Sequence, residues 1–177
     1  MQILFLAAVE FELAVARELR PGTDDLFLCG GIGPEATRRS LEGAFASGHR
    51  FDLAVNLGVA GSYRDRYPVG SVVQVLTERF GDRPGRVLAN PAPPALFSTL
   101  PQVAGNTVPA LEARYRKVEA DIESMEGAAF FEACLRAGVP FAEIRAVSNA
   151  VGEEDRTRWN IPLALHNLHS SLNALTF

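Results

Sequence analysis

The sequence has no excess of basic residues and no long apolar run. Its 177 residues include 17 Lys and Arg against 21 Asp and Glu, a formal net charge of -4. Such a balance leaves no basic footprint, so nucleic acid is not expected as a partner. No apolar stretch reaches the roughly eighteen residues of a membrane span, and no membrane association is expected. The 47% of hydrophobic residues suits one domain, residues 1–177, around a single core.

Cysteine is also scarce. Cys29 and Cys134 lie far apart among apolar neighbours and match no metal-ligand spacing, so we expect two reduced core cysteines and no metal site. The apolar run Ile3 to Val9 is too short for a signal-peptide core and continues into Glu10 and Glu12. These features together favour a cytoplasmic protein.

Phosphate-loop patterns are absent as well. Glycines cluster at 30–33 and at 58–61, each after a predicted strand. Neither cluster has the spacing Gly-x-Gly-x-x-Gly, and no Gly-Lys-Ser/Thr follows, which disfavours Walker-type and dinucleotide sites. We interpret the first cluster as a tight strand-to-helix turn and predict no cofactor.

Apolar runs that alternate with amphipathic segments predict an α/β fold. Phe11, Val15 and Leu19 fall on one face of the first predicted helix. The alternation favours a three-layer αβα arrangement, with a mostly parallel twisted sheet covered on both faces. Strands are predicted at 3–9, 26–29, 52–57, within 69–77 and at 141–148, helices at 10–19, 35–46, 110–115, from 126 onwards and at 162–175, and further structure at 102–108. Five prolines crowd residues 81–101, which predicts a loop or an excursion there.

Isolated polar residues stand inside two segments that otherwise look buried. Glu126 falls where an extended segment turns into a helix, and Gly127 after it permits a close approach. An ionised carboxylate accepts hydrogen bonds and donates none, so a vicinal diol such as a ribose suits Glu126. Ser148 and Asn149 end a predicted strand, and ligands of open α/β sheets bind at the carboxyl ends of strands.

Four stretches in the same order resemble the purine nucleosidase and nucleoside phosphorylase family, and within it the futalosine hydrolase branch. They are residues 1–12 (MQILFLAAVEFE), 56–61 (NLGVAG), 122–129 (IESMEGAA) and 145–161 (RAVSNAVGEEDRTRWNI). The resemblance implies a compact nucleoside phosphorylase-like fold, shortened near residues 81–101. It also implies a homo-oligomer that binds a small purine nucleoside and releases hypoxanthine from futalosine in menaquinone biosynthesis.

The resemblance assigns the water-activating role to Glu12. A carboxylate can act as a general base at this step when partial burial raises its pKa. From its position alone, Glu12 could equally be a first-turn helix carboxylate favoured by the macrodipole, as its neighbour Glu10 is expected to be. Arg145 is expected close to the same water, and an ion pair with Glu143 is the alternative.

The resemblance also implies a set of ligand contacts. Glu126 would hold the ribose, where a carboxylate stabilises an oxocarbenium-like sugar, and Met125 would pack on it. Backbone of the second glycine cluster would lie along the purine or the ribose, while a valine replaces the aromatic residue that relatives place against the purine. The expected ligand-binding residues are Ala60, Gly61, Val108, Met125, Glu126 and Ser148, and the expected catalytic residues are Glu12, Asn149 and Arg145.

Asn149 bears on the choice of base. An asparagine accepts from a protonated purine N7 and donates to a 6-oxo group, which suits hypoxanthine or guanine, whereas a carboxylic acid suits adenine. Asn149 could alternatively cap the following loop. Futalosine also has an aryl carboxylate beyond the ribose 5' position, and four residues are unranked candidates for binding it: Trp159, Arg156, Arg64 and His166.

Three other functions are compatible with this fold. A nucleoside phosphorylase would need an arginine-rich phosphate site, but the chain has Ala-Val-Glu-Phe-Glu after its first strand where phosphorylases have Gly-Asp-Pro and an arginine. An adenine-type nucleosidase is disfavoured by Asn149. A non-catalytic nucleoside-binding protein would retain the same pocket residues without turnover.

Overall fold

The computed structural model describes residues 1–81, 85–111 and 119–175. Its strands are β1 (Ile3–Ala7), β2 (Leu26–Cys29), β3 (Leu53–Ser62), β4 (Val72–Phe80), β5 (Val87–Ala89), β6 (Gln102–Thr107), β7 (Ile122–Ser124) and β8 (Phe141–Ala150). Its α-helices are α1 (Glu10–Leu19), α2 (Pro34–Ala46), α3 (Gly127–Ala137) and α4 (Ile161–Ala174). The predicted alternation is confirmed from β1 to β3 and from β7 to α4, whereas β3 to β7 follow one another with no α-helix between them among the described residues.

Five strands of the sheet close into a ring. β3 pairs with β8 along most of its length and with β7 at its end, β8 pairs with β4, and β6 joins β4 to β7. β1 and β2 extend the sheet from β3, and β5 adds to β4. Five of the eight pairings between described strands are parallel, so the sheet is mostly parallel, as predicted, but mixed.

Helices cover both faces of this sheet. One apolar cluster packs the sheet against α1 and α4, and the other packs it against α2 and α3. Side chains alternate along β8, so Ile144 faces the α1 and α4 side while Val147 faces α2 and α3. By the same alternation Glu143 and Arg145 point toward α2 and α3, where a fully buried charge needs a partner.

The third strand is longer than predicted. β3 continues to Ser62 through the glycine stretch that the sequence predicted as a loop, because β8 pairs alongside it, with Gly58 opposite Arg145. The register shifts by one residue between Ala60 and Gly61. Residues 81–101 are mostly irregular where described, apart from β5 and a short 3-10 turn at Ala95–Phe97. Most of the helix predicted at 110–115 lies outside the described residues.

Two expectations about buried residues need correction. Cys29 is exposed at the end of β2, because β2 is an edge strand, and only Cys134 is a core cysteine; both are free. Phe11 is 53% exposed, whereas Glu12 beside it is 4% exposed. The face of α1 that packs inward therefore includes Glu12 in place of Phe11. None of the described helices is long and apolar enough to cross a bilayer.

Candidate active site

A cavity of about 290 Å³ opens where β1, β3, β7 and β8 end. A second cavity of about 140 Å³ adjoins it and shares Glu123, Asn149 and Trp159 in its lining. Ligands of α/β proteins bind at this end of the strands. Seven of the nine predicted site residues line the larger cavity: Glu12, Ala60, Gly61, Met125, Glu126, Ser148 and Asn149.

Glu12 is brought to the cavity by the first turn of α1. Its Oε1 accepts a hydrogen bond of 2.9 Å from the backbone N–H of Val59. Its Oε2 is buried and has no hydrogen-bond partner among the described residues. Burial raises the pKa of Glu12, and the positive charge of Arg145 opposes that rise. A carboxylate with a raised pKa and an available oxygen can take a proton from a water molecule.

Gly58 on β3 leaves room for two charged side chains, from α1 and β8, to approach each other. A β-carbon at this position would lie 2.6 Å from Arg145 Nη1 and 2.7 Å from Glu12 Oε1, closer than real β-carbons approach other atoms. The glycine is therefore required for the close approach of Arg145 to Glu12. Its place in the second glycine cluster was visible in the sequence, but this role depends on side chains from two distant segments.

Glu126 stands directly before α3 and is fixed through both carboxylate oxygens. Its Oε1 accepts from the backbone N–H of Gly33 at 3.0 Å, and its Oε2 lies 3.5 Å from Arg145 Nη2. Gly33 has φ +94°, a conformation that favours glycine, and it precedes α2. The first glycine cluster, interpreted from sequence as a turn alone, thus also orients the carboxylate expected to bind ribose.

Arg145 joins the carboxylates beneath the cavity and is itself outside the lining. It is 1% exposed, and its Nε donates to Glu143 Oε1 at 2.8 Å. Although burial disfavours its charged form, the carboxylates of Glu143, Glu126 and Glu12 raise the pKa of Arg145. The alternative given for Arg145, an ion pair with Glu143, is present, and its charge also acts on Glu12; its closeness to the attacking water stays a prediction.

Asn149 has a defined orientation at the junction of the two cavities. Its Oδ1 accepts from the Ser148 hydroxyl at 2.7 Å, and its Nδ2 donates to the Ala150 carbonyl at 2.9 Å. One amide hydrogen and one lone pair on Oδ1 remain available for another partner. The side chain can therefore donate and accept one further hydrogen bond each, and Asn149 is among the residues that line both cavities.

A second polar network, not predicted from the sequence, lies next to Asn149. The Tyr63 hydroxyl donates to Glu123 Oε2 at 2.5 Å and accepts from Asn106 Nδ2 at 2.9 Å. Burial and the Glu123 carboxylate raise the pKa of Tyr63, so the phenol stays protonated. Glu123 lines both cavities. The sequence feature that could have indicated this network is Glu123, a second acidic residue in the buried segment before Glu126.

The structure separates the four candidates for the 5' carboxylate. Arg156 and Trp159 line both cavities, and the Arg156 guanidinium lies 5.7 Å from the centre of the Trp159 ring. Arg64 lines a different depression beside Asp121, and His166 lies in a groove between α1 and α4. Only Arg156 and Trp159 are thus placed to meet a ligand that occupies the cavity.

Val108 is not brought into the cavity lining. Its side chain is fully buried, and its backbone N–H donates to the Ser124 carbonyl at 2.9 Å. This bond continues the pairing of β6 with β7, so the valine packs within the protein. The expectation that Val108 contacts the purine finds no support in this arrangement. Among the described residues no cluster of His, Cys, Asp and Glu is suited to a metal ion.

Comparison with known proteins agrees with this geometry. The family model of the Phosphorylase superfamily matches residues 94–175. The futalosine hydrolase of Streptomyces coelicolor is 30% identical, and the match covers 99% of this chain and 95% of that protein. The futalosine hydrolase of Thermus thermophilus is also 30% identical, over 97% of this chain and 89% of that protein. This chain belongs to the phosphorylase superfamily, in its futalosine hydrolase branch.

Solved structures of the superfamily share the fold. The 5'-methylthioadenosine/S-adenosylhomocysteine nucleosidase of Colwellia psychrerythraea, in complex with adenine, superimposes with a TM-score of 0.80 at 20% identity, over 99% of this chain and 93% of that one. The futalosine hydrolase mutant of Helicobacter pylori has a TM-score of 0.79 at 16% identity, over 99% and 98%. The nucleoside phosphorylase-like fold expected from the resemblance is confirmed.

This member of the superfamily is short. Its alignment with the Streptomyces coelicolor protein spans 234 positions, more than its own 177 residues. That relative therefore has segments without a counterpart here. The sequence prediction that the missing part lies near residues 81–101 stays a prediction.

Proposed function

We propose that this protein is an N-ribosyl hydrolase that cleaves futalosine into hypoxanthine and dehypoxanthine futalosine, a reaction of menaquinone biosynthesis. The observation that carries the proposal is the convergence of Glu12, Glu126 and Asn149 on one cavity. Relatives that are 30% identical over nearly the whole of this chain and are named futalosine hydrolase support the choice of substrate.

In the proposed reaction Glu12 activates the water. The buried carboxylate takes a proton from the water as its oxygen attacks C1' of the ribose. The electron pair of the C1'–N9 bond leaves with the purine, whose N7 takes a proton from solvent. Arg145 touches the carboxylates and not the ligand, so it acts as a positioning residue for Glu12 and Glu126.

Glu126 acts on the sugar. Its two oxygens are held by Gly33 and Arg145 from the protein side and keep lone pairs for the ribose hydroxyls. The negative charge beside the sugar stabilises the oxocarbenium-like transition state in a site shielded from water. Met125 and the backbone of Ala60 and Gly61 line the same cavity and would position the nucleoside.

Asn149 acts on the departing base. With Ser148 and Ala150 holding the amide, its free lone pair accepts from a protonated N7 and its free N–H donates to the 6-oxo group. A 6-amino group would set two donors against each other, at a cost of about 1–3 kcal/mol. We therefore propose hypoxanthine as the base, and Arg156 with Trp159 as the site of the 5' aryl carboxylate.

Product analysis with futalosine tests the proposal. The protein is incubated with futalosine in phosphate-free buffer, and hypoxanthine is followed by chromatography. We expect release by the native chain and by Glu10→Gln, whose side chain is exposed on the same helical turn, and loss of release in Glu12→Gln. If futalosine binds and is recovered intact, the protein is a nucleoside-binding protein. If release depends on added phosphate, it is a phosphorylase.

An adenine-type nucleosidase is the second candidate, favoured by the structural neighbours that are 5'-methylthioadenosine/S-adenosylhomocysteine nucleosidases. Asn149→Asp separates the two. The Ala150 carbonyl oxygen beside the new side chain disfavours an ionised aspartate, and the single proton of the neutral acid, when turned to N7, leaves the other oxygen to accept from a 6-amino group. We expect kcat/KM to fall about 10- to 100-fold for a 6-oxo nucleoside and to rise for its 6-amino analogue. Unchanged preference would exclude Asn149 from base selection.

We also propose a homo-oligomer in a reducing, cytoplasmic setting. Large apolar side chains at the cavity, Phe11 at 53% and Ile32 at 62% exposure, would be covered by a second copy of the chain. The two cysteines are free, which fits a reducing compartment.

A further inference from the structure

Two buried acidic side chains lie beneath the candidate active site, and the reaction proposed above gives them no role. Glu78 on β4 and Glu143 on β8 are both fully buried. When both groups are ionised, the Glu78 Oε1 and Glu143 Oε2 atoms have no hydrogen-bond partner among the described residues. Buried oxygens of this kind are costly unless a proton or a donor satisfies them.

The two unsatisfied oxygens face the same point. A β-carbon at Gly127 would overlap Glu78 Oε1 and would lie 2.7 Å from Glu143 Oε2. The other oxygens are already engaged: Glu143 Oε1 accepts from Arg145 Nε at 2.8 Å, and Glu78 Oε2 accepts from the Thr107 hydroxyl at 2.8 Å. Each acid therefore has one oxygen bound by a donor and one unpaired oxygen close to Gly127.

Thr107 decides which oxygen of Glu78 can carry a proton. Its Oγ1 accepts from the backbone N–H of Ala128 at 2.6 Å, and its single hydrogen is donated to Glu78 Oε2. Oε2 is thus an acceptor, and a proton on Glu78 resides on Oε1. Burial raises the pKa of both acids, but the direct pair with Arg145 opposes that rise at Glu143, so the neutral form falls to Glu78.

The charge of the cluster requires at least one proton. Four carboxylates, Glu12, Glu78, Glu126 and Glu143, surround the single cation Arg145, and the Cys134 thiol also faces Glu143. Full ionisation would leave a net charge of about -3 in a buried site, which the low local dielectric disfavours. Like-charged carboxylates at close range share a proton for this reason.

We propose that Glu78 is a protonated positioning residue that donates a hydrogen bond from Oε1 to Glu143 Oε2. Glu143 then presents a fixed anion to Arg145, which holds Glu12 and Glu126 in their working orientations. One proton satisfies both unpaired oxygens, and Arg145 is left shared among three carboxylates. The catalytic role of this arrangement rests on the proposed hydrolase function, whereas the protonation itself does not.

Infrared difference spectroscopy tests the proton without any substrate. The carbonyl stretch of a protonated carboxylic acid is resolved from carboxylate bands, and Glu78→Gln should remove one such band from the spectrum of the native chain at pH 7. Glu132→Gln, a partly exposed carboxylate paired with arginines on the surface, is the control and should remove none. If Glu78→Gln keeps every protonated-acid band of the native chain, the proposal is wrong.

The pH dependence of thermal stability is a second readout that needs no activity. Burial and the Glu143 charge raise the pKa of Glu78 in the folded state. Its contribution to stability is therefore complete below the unfolded pKa of about 4.3 and is lost as pH rises through the folded pKa. We expect the Tm of Glu78→Gln to gain on that of the native chain as pH rises from 5 to 9. A constant difference in Tm would contradict a protonated Glu78.

The pH profile of hydrolysis then tests the positioning role. Glu143→Gln removes an anion from Arg145, so the cation stabilises the Glu12 carboxylate more strongly and the acid limb of kcat/KM moves to lower pH. We also expect kcat to fall by about 10- to 100-fold through misplaced carboxylates. Glu78→Gln changes no charge and should leave the acid limb in place. If both variants move the limb equally, Glu78 is ionised and the proposal is wrong; if the protein releases no hypoxanthine at all, the infrared and melting results still decide the protonation.

Discussion

At the scale of single residues, the site depends on carboxylates that share one arginine. Glu12, Glu126 and Glu143 all act on the Arg145 charge, and each has a different second partner: Val59, Gly33 and, as proposed, Glu78. Different partners give chemically identical groups different tasks, since the surroundings of a carboxylate set its pKa. The buried carboxylates around Arg145 are thus explained by the chemistry proposed for the cavity next to them.

The raised pKa of Glu12 predicts where activity is lost on acidification. Glu12 must be ionised to take a proton from water, and burial raises its pKa above the usual range of a glutamate. The kcat/KM for futalosine should therefore fall as pH decreases through this raised value, at a higher pH than an exposed glutamate would give. A pH-rate profile checks this, and Glu10→Gln should reproduce it. A profile that stays level down to the usual pKa of glutamate would contradict Glu12 as the base.

Gly58→Ala should remove activity with little change in fold. The new β-carbon would meet Arg145 Nη1 and Glu12 Oε1, so both charged groups must shift. We expect kcat to fall about 100-fold and the free energy of unfolding to fall by about 1–3 kcal/mol. Gly43→Ala, a helical position in α2 with open space around it, is the control and should stabilise by up to about 1 kcal/mol. Kinetics and urea unfolding measure both; equal activity of the two variants would show that the site tolerates the shift.

At the scale of elements, the sequence predicts the alternation well and the closure of the sheet poorly. Apolar runs and helical periodicity identify β1, β2, α2 and α4 to within a residue or two. The continuation of β3 through its glycines, and its pairing with β7, depend on strands that are distant in sequence. Local pattern contains no such information, because glycines weaken a predicted strand unless a partner pairs with them.

The site shows the same division. Resemblance and residue chemistry indicated Glu12, Glu126 and Asn149, which the structure brings to one cavity. The sequence did not indicate a role for Gly33, whose backbone N–H donates to Glu126 although the two residues are 93 positions apart. It also gave no sign that Glu78 is buried. On α1, helical spacing placed Phe11 on the inward face. Glu12 is buried there instead, because the Val59 N–H and the Arg145 charge stabilise its carboxylate. Such contacts arise only from the tertiary fold.

Gly33→Ala tests the link between the α2 turn and the ribose carboxylate. Gly33 has φ +94° and Gly22 has φ +72°, and neither has a neighbour within reach of an added β-carbon. Backbone strain alone should cost about 1 kcal/mol of unfolding free energy in Gly22→Ala and about 1–3 kcal/mol in Gly33→Ala, whose φ and ψ (165°) lie in a region that is essentially restricted to glycine. Only Gly33→Ala should also raise KM for nucleosides, because the turn that carries its N–H to Glu126 Oε1 must distort. Melting and steady-state kinetics distinguish the two effects; a normal KM in Gly33→Ala would show that this hydrogen bond does not orient Glu126.

At the scale of the whole molecule, the cavity lies beside large apolar side chains that are exposed to solvent. Glu126, Ser148 and Asn149 line the cavity and are buried, while Phe11 and Ile32 in the same lining have more than half of their surface in solvent. Isolated exposed apolar residues are ordinary, but two large ones lining the same cavity are the reason for our proposal that a second copy of the chain covers this surface.

Phe11→Ser should weaken the proposed oligomer and the enzyme together. Removing an apolar side chain that the second copy covers costs association energy, of the order of 1–3 kcal/mol when the side chain is well buried in the interface. Val87→Ser is the matched control, because Val87 is 50% exposed on β5, at the far edge of the sheet from β2. Light scattering across a dilution series should show dissociation at a higher protein concentration for Phe11→Ser than for the native chain or the control. Specific activity should fall over the same dilution range, because a cavity with one side open to water loses the shielding that strengthens the charges of Glu12 and Glu126. A native chain that is monomeric and fully active at every concentration would leave Phe11 exposed for another reason and would show that one chain completes the site.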